Sequence, residues 1–423
     1  MQSIKSMAAK FNQDKYPGKP KILFIGWPVS THTHSWIDLL ENSDFNVRLF
    51  SLPEGLPPDN WKVKTYVTVE TISKLDSQTR TAIYPPQVFP FFRLRRLNKW
   101  LYKIAKRFQL KQAEIEKQLA QVIQSWNPDI IHTLGLDPAS YFYLRTREQF
   151  KLAGIGKWVA QVRGGPDLAL HRFLPDYLGK MKQVFAECDQ LIADNQCNYD
   201  YAVHLGLAKH KLASLGVVPG TGGMDVTDLE GKWSKLPSQR ERLIVWPKTY
   251  EAPSSKALPV FEALKMAWKK IKPCQIEMLW VVQSEIEMWF QTLPEEIRAS
   301  CHIQGRIPRD NVLDLFSQAR VMLAPSLTDG VPNSMLEAMA LGAFPIVSPL
   351  ETIIPVVKEP ENVLFARNLY PHELAAALER AMTDDSLVDS AAVTNLDLVG
   401  RVANRTEIAP RVIEYYKDLA FDN

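Results

Sequence analysis

Short apolar runs alternate with helix-period stretches along this chain, and the alternation happens twice. In the first half KILFIG (21–26), NVRLF (46–50), DIIHTL (129–134), KWVAQV (157–162) and QLIAD (190–194) are rich in β-branched and aromatic residues and predict buried strands. Residues 35–40 read as helical. The stretch GVVPGTGGMDV (216–226) is rich in glycine and proline and reads as a linker. Then the pattern restarts with RLIVW (242–246), IEMLWVV (276–282), CHIQG (301–305), VMLAP (321–325) and FPIVS (344–348), with helices predicted over 258–271 and 311–319. Strand–helix–strand alternation with short connections implies parallel, doubly wound sheets. The expected fold class is α/β, with one such domain over 1–217 and a second over 218–407. An amphipathic helix over 408–423 can cross back to the first. Ligands of such sheets sit beyond the carboxyl ends of the strands, so loops after Gly26, Leu134, Val162, Trp246, Gly305 and Pro325 are expected to face a cleft.

Composition narrows the function classes. Hydrophobic residues make up 46% and charged residues 23%, which fits a globular protein rather than a disordered one. The four cysteines form no Cys-x-x-Cys pair, which argues against a zinc site or disulfide scaffold and fits a reducing cytoplasm. No signal-peptide run or membrane-spanning apolar window is found. The net charge of +3 hides an asymmetry. Residues 1–217 hold 29 Lys and Arg against 19 Asp and Glu, a balance of +10, whereas residues 218–423 balance at −7. A basic first half suits an anionic partner, though it also serves solubility.

The densest cluster of candidate chemistry is APSLTDGVPNSMLEAMALGAFPIVS (324–348). A strand ends at Pro325. A loop carries Asp329, Gly330, Val331 and Pro332. A helix is expected to start at Asn333 or Ser334, both good N-caps, and to end at Gly342. A helix N-terminus offers unpaired N–H groups and partial positive charge to a phosphate, and Gly330 lets a ligand approach the backbone. Asp329 and Glu337 are acceptor-only carboxylates, each suited to a pair of sugar hydroxyls. Carboxylates near a helix start are also common for purely structural reasons.

This stretch resembles the acidic-x7-Glu motif of the family 4 glycosyltransferases, P-S-x-x-E-G-x-P-x-x-x-x-E-A-M-A-x-G. Pro325, Ser326, Gly330, Pro332, Glu337, Ala338, Met339, Ala340 and Gly342 fall on it in register. The segments WNPDIIHTLG (126–135) and HIQGRIPRDN (302–311) are similar to other parts of the family pattern. The resemblance implies a GT-B fold: two Rossmann-like domains, with the sugar donor on the second and the acceptor on the first. It implies transfer from a nucleotide-diphosphate-sugar with retention at the anomeric carbon, to a glycan, lipid-linked or other hydroxyl acceptor. It implies no metal and no other cofactor, the leaving diphosphate being neutralised by basic side chains and the helix dipole.

Carried over residue by residue, Glu337 would bind ribose and Asp329 the donor sugar. Gly330, Val331, Pro332 and Asn333 would line the sugar and diphosphate, and Arg306 and Ile307 the base. Lys256 stands at the place of the family's diphosphate lysine, and Lys248 is nearest to that of its arginine. Departures are plain: residue 329 is Asp where Glu is usual, and the loop GWPVSTHTHSW (26–36) lacks the paired glycines of the family. Leu134 stands where a second histidine is common, with Asp137 a polar candidate nearby. Arg163 and Gly164 of RGGPD, His132 and His32 are cleft or acceptor candidates, His132 being as suited to a core. His32 and His34 lack a third ligand for a metal.

The segment FFRLRRLNKWLYKIAKRFQLK (91–111) is strongly basic, has no acid and carries interleaved apolar residues. It can lie on an anionic membrane face or pack on its own domain. Nothing resembles a nucleic-acid motif. Rival readings are a GT-B epimerase or hydrolase, and a GT-B-like protein that binds a nucleotide-sugar without turnover.

Overall fold

A computed structural model describes residues 11–52, 57–58, 61–67, 82–83, 110–164 and 166–421. Two wholly parallel sheets form. The first contains β1 (Lys21–Gly26), β2 (Asn46–Ser51), β3 (Lys64–Tyr66), β4 (Ala82–Ile83), β5 (Ile130–Leu134), β6 (Lys157–Val162) and β7 (Gln190–Ala193), in the order β4-β3-β2-β1-β5-β6-β7. The second contains β8 (Leu243–Trp246), β9 (Gln275–Met278), β10 (Cys301–Ile303), β11 (Val321–Ala324), β12 (Phe344–Val347) and β13 (Leu364–Phe365), in the order β10-β9-β8-β11-β12-β13. Parallel strands need helices on both faces, which is why the inner strands β1, β5, β8, β11 and β12 are almost wholly buried, whereas β9 and the edge strand β10 carry exposed polar residues.

The helix Leu258–Ile271 has the expected bounds, and the expected helix at 311–319 spans Arg309–Gln318. Three strands were not legible in the sequence: β3, β4 and β13 are two or three residues long, too short for any period to show. The expected strand over 276–282 stops at Met278, because Trp280 takes a φ of 66° and turns the chain. The expected N-cap is also corrected. Asn333 is already helical in Asn333–Ala340, and Pro332 occupies the cap with no side-chain hydrogen bond. Proline, with its fixed φ and no N–H, suits that place. Asn333 Oδ1 instead accepts from Thr221 Oγ1 at 3.1 Å, across to the linker. The far end is as expected. Gly342 has a φ of 78°, its N–H donates to Met339 O, and Ala343 N–H donates to Ala338 O at 2.8 Å, a Schellman closure.

The last helix, Arg405–Phe421, packs on the first sheet. Ile408, Val412, Tyr415, Tyr416 and Leu419 join Ile22, Phe24, Trp36 and Ile130 in one cluster. The chain therefore passes between the lobes twice, at 216–226 and just before Arg405, and the two passages touch. Met224 N–H donates to Ala403 O at 2.8 Å, and Arg405 N–H to Met224 O at 2.9 Å. No helix among the described residues is long and apolar enough to cross a membrane. Residues 91–109 of the basic segment lie outside the described residues.

Gly223 lies at this crossing with a φ of 82°, and a Cβ there would stand 2.4 Å from Ala403 O. Gly216 has a similar φ of 67° and open space around it. Gly223→Ala is expected to destabilise the fold by at least about 3 kcal/mol, and Gly216→Ala by about 1–2 kcal/mol. Melting temperatures check this: equal losses at the two positions would contradict a tight crossing.

Candidate functional site

Each sheet reverses its strand order once, between β1 and β5 and between β8 and β11. A crevice opens at such a reversal beyond the carboxyl ends of the strands. In the second lobe the loops after β8 and β11 close on one another. Lys248 Nζ binds Asp329 Oδ2, Leu327 N–H donates to Ser254 O at 2.8 Å, and Ser255 Oγ donates to Pro325 O at 3.2 Å. Thr352 Oγ1 pins the Asp329 loop from the other side by donating to Asp329 O at 2.8 Å. Burial alone would push the Lys248 ammonium down, but Asp329 and Tyr250 outweigh it and hold it above the usual lysine range.

Lys256 goes elsewhere. Its ammonium bonds Glu251 Oε1 at 2.6 Å, and its backbone N–H donates to Asn368 Oδ1 at 3.0 Å. Of the two candidate lysines, the structure brings Lys248 to Asp329. Glu337 is buried in the helix Asn333–Ala340, and Arg309 reaches it with Nε at 2.8 Å and Nη2 at 2.7 Å. Burial raises the Glu337 carboxyl, and Arg309 works against that rise. Val331 and Asn333 are half-buried, and Pro332 is buried. Arg306 is exposed and lies over the Trp280 ring at 5.1 Å, while half-buried Ile307 packs against the core beneath.

The first lobe meets this edge closely. A Cβ on Gly330 would stand 2.7 Å from Gly164 Cα and 2.8 Å from Asp194 Oδ2, so only glycine fits. Gly164 N–H donates to Asp194 Oδ2 at 2.7 Å. Asn195 and Asn198 amides donate to Asp194 Oδ1 at 2.8 and 2.9 Å. Burial pushes the Asp194 carboxyl up to about 6, and Asp329 adds to the rise. Asp167, also pushed up to about 6 by burial, accepts the N–H groups of Arg163 at 2.9 Å and Leu136 at 3.2 Å. The Arg163 guanidinium is lowered to about 10 by burial, with Asp167 and Asp194 opposing that fall.

His32 stands at this meeting point, where desolvation lowers its ring first and the charges of Arg163 and Lys248 lower it further, with Asp329 pulling the other way. His132 does not face the cleft. It is fully buried, bonded through Nδ1 to the Tyr416 hydroxyl, and held well below its ordinary range by burial. That is the core role open to it from the start. Asp137 is exposed, its N–H reaches Asp167 at 3.5 Å, and its charge acts on His171 and Tyr141. His34 bonds the Pro28 carbonyl and packs on Trp61, with ring centroids 4.7 Å apart. Among the described residues no three His, Cys, Asp or Glu side chains gather as a metal site would need.

Sequence reasoning passed over Asp194, Arg309, Trp280 and Thr352. Asp194 carried a usable signal, since a carboxylate directly after an apolar strand lies at the carboxyl edge. Arg309 and Thr352 carried none, because their partners are 28 and 23 residues away in sequence.

The architecture is that of the GT-B glycosyltransferases. Sucrose-phosphate synthase from Thermosynechococcus elongatus matches 96% of this chain with 100% of its own, at a TM-score of 0.66 and 14% identity. HepE from Anabaena, solved in complex with UDP-glucose, matches 94% with 99% of its own, at 0.66 and 13% identity. A putative UDP-N-acetylglucosamine 2-epimerase from Listeria monocytogenes matches 96% with 98% of its own, at 0.61 and 11% identity. At such identities the likeness is one of fold. Within the second lobe, residues 253–384 match the family model described as glycosyl transferases group 1, a stretch that includes Asp329 and Glu337 and begins after Lys248. No curated protein matches by sequence.

Asp194 keeps its proton more readily folded than unfolded, where its value is 3.8. Stability from this group therefore falls as pH rises between about 4 and 6 and is level above that. Asp167 acts the same way and His32 the opposite way, so a difference measurement isolates Asp194. The melting temperature of Asp194→Asn minus that of wild type is expected to be larger at pH 7 than at pH 5. A difference constant across that range would contradict the shift.

Proposed function

We propose that the protein is a retaining glycosyltransferase. It takes a sugar from a nucleotide-diphosphate-sugar held on the second lobe and passes it to a hydroxyl of a glycan or lipid-linked acceptor on the first. The observation that carries this reading is the Lys248–Asp329 pair at the strand reversal, beside the N-terminus of the helix that bears Glu337. The match of residues 253–384 to a glycosyltransferase family supports it.

The chemistry follows from these groups. Glu337 accepts the two ribose hydroxyls, which displaces Arg309 from it. The diphosphate lies between Lys248 and the backbone N–H groups at the start of Asn333–Ala340, where charge and dipole both favour an anion. Once Lys248 turns to the diphosphate, Asp329 is free to accept hydroxyls of the sugar. The glycosidic C1–O bond breaks toward the diphosphate, whose negative charge grows as it leaves. Lys248 stabilises that growth more than it stabilises the bound substrate, which is what lowers a barrier. The acceptor oxygen bonds C1 on the same face, and its proton passes to the leaving phosphate. The proposal calls on no metal. His32, Arg163 and Gly164 face this point from the first lobe and line the acceptor side.

With whichever common nucleotide-sugar the protein uses, Lys248→Met is expected to lower kcat by about a hundredfold. Lys256→Met should lower it by less than about tenfold. A larger loss at Lys256 would reverse the assignment. Glu337→Gln should weaken nucleoside diphosphate binding by about tenfold or more. If wild-type protein gains no thermal protection from any nucleoside diphosphate, the donor site is not one. We also propose that the basic segment 91–111 meets an anionic membrane face. Neutralising Arg93, Arg95 and Arg96 together should then reduce co-sedimentation with anionic liposomes, and unchanged binding would refute this contact.

A further inference from the structure

Trp280 is two residues past the end of β9 and has a φ of 66°. That is the left-handed region, where a bulky aromatic residue is strained. Backbone bonds from both sides hold it there. Leu279 N–H donates to Trp246 O at 3.0 Å, Trp280 N–H to Gly305 O at 3.1 Å, and Val281 N–H to Gln304 O at 3.1 Å. Packing does not repay the strain. The flanking Leu279 and Val281 are buried, whereas Trp280 is 40% exposed. A glycine would satisfy this turn at no conformational cost, so the presence of tryptophan calls for another reason.

Its neighbours supply one. Arg306 lies over the indole at 5.1 Å, and the Tyr250 ring is 6.3 Å away. Tyr250 is tied by its N–H to Lys248 O at 3.0 Å, and Lys248 holds Asp329. In the other direction Arg306 is three residues before Arg309, which holds Glu337. The contacts thus run from Asp329 through Lys248, Tyr250 and Trp280 to Arg306, and the same stretch of chain continues to Arg309, which holds Glu337, past the carboxyl ends of β8, β9 and β10. With diphosphate at Lys248 and ribose at Glu337, the part of the donor left for Trp280 and Arg306 is the base. A nucleobase is a flat π surface, and an exposed indole with a guanidinium beside it matches that surface by stacking.

We propose that Trp280, supported by Arg306, is the stacking wall for the nucleobase of the donor. The proposal rests on the donor-site reading above. Every base has a π face, so the wall adds affinity for nucleoside diphosphates without itself choosing among bases.

Binding of UDP, GDP and ADP by calorimetry, together with melting temperatures, tests this on the full chain. For the nucleotides that wild type binds, Trp280→Ala is expected to weaken binding about tenfold or more. Trp280→Phe keeps a ring and should stay within about threefold. Trp280→Gly relieves the backbone, so it should melt no lower than wild type yet bind as weakly as Trp280→Ala. A purely structural tryptophan predicts the reverse, with stability lost and affinity kept. If wild type binds and Glu337→Gln weakens binding while Trp280→Ala does not, the stacking wall is wrong and the donor site stands. If wild type binds none of the three and no other nucleoside diphosphate, both fall.

Discussion

The return of the chain to its first lobe is what the rest of the structure depends on. Tyr416 carries it: its hydroxyl accepts from Trp36 Nε1 at 3.1 Å and pairs with His132, all three being buried. At the entry to the same helix, Arg405 donates to Ser35 O at 2.8 Å and to Ser35 Oγ at 3.1 Å, and Ser35 Oγ donates to Thr221 O at 2.7 Å. The linker, the helix Thr31–Ile37 and the last helix are therefore knotted at one place. A single linker would leave two lobes free to tumble, whereas two passages bonded to each other oppose the carboxyl edges of the two sheets. Gly330 and Gly164 can meet only because of that.

Charge in the cleft is compensated locally and provisionally. Lys248 has Asp329, Glu337 has Arg309, and Arg163 has the fields of Asp167 and Asp194. An unpaired charge at such depth would be strongly destabilising. The first two pairings also occupy groups that the proposed donor needs, so binding would move Lys248 from Asp329 to the diphosphate and Glu337 from Arg309 to the ribose hydroxyls instead of leaving either without a partner. The raised carboxyls of Asp167 and Asp194 are compensated from the acid side, Asp167 by backbone N–H groups and Asp194 by the Gly164 N–H with the Asn195 and Asn198 amides.

How much of this was legible depended on how local its cause was. Asp329 and Glu337 lie on one strand–loop–helix unit, and their spacing alone places them at one helix start. Leu258–Ile271 follows a period that no distant residue disturbs. Asn333 misled for the opposite reason: its side chain looks like a cap and bonds the linker. Lys248 and Lys256 both stay candidates at the level of sequence, because they share a loop. Choosing between them requires the path of that loop against Asp329, Glu251 and Asn368. Trp280 hid inside what reads as an unbroken apolar strand, since left-handed backbone at an aromatic residue leaves no mark on hydropathy.

The amino-acid sequence by itself determined two doubly wound α/β units and which of them carries the acidic pair. Hydrophobic period, glycine and proline placement and motif spacing are short-range properties of a chain. Only the tertiary structure decided which lysine meets Asp329, that His132 belongs to the core and His32 to the cleft, and that Arg309 guards Glu337. Those outcomes depend on which loops the second passage of the chain brings face to face. Residues far apart in sequence acquire their roles only when both ends of the chain are anchored in the same lobe.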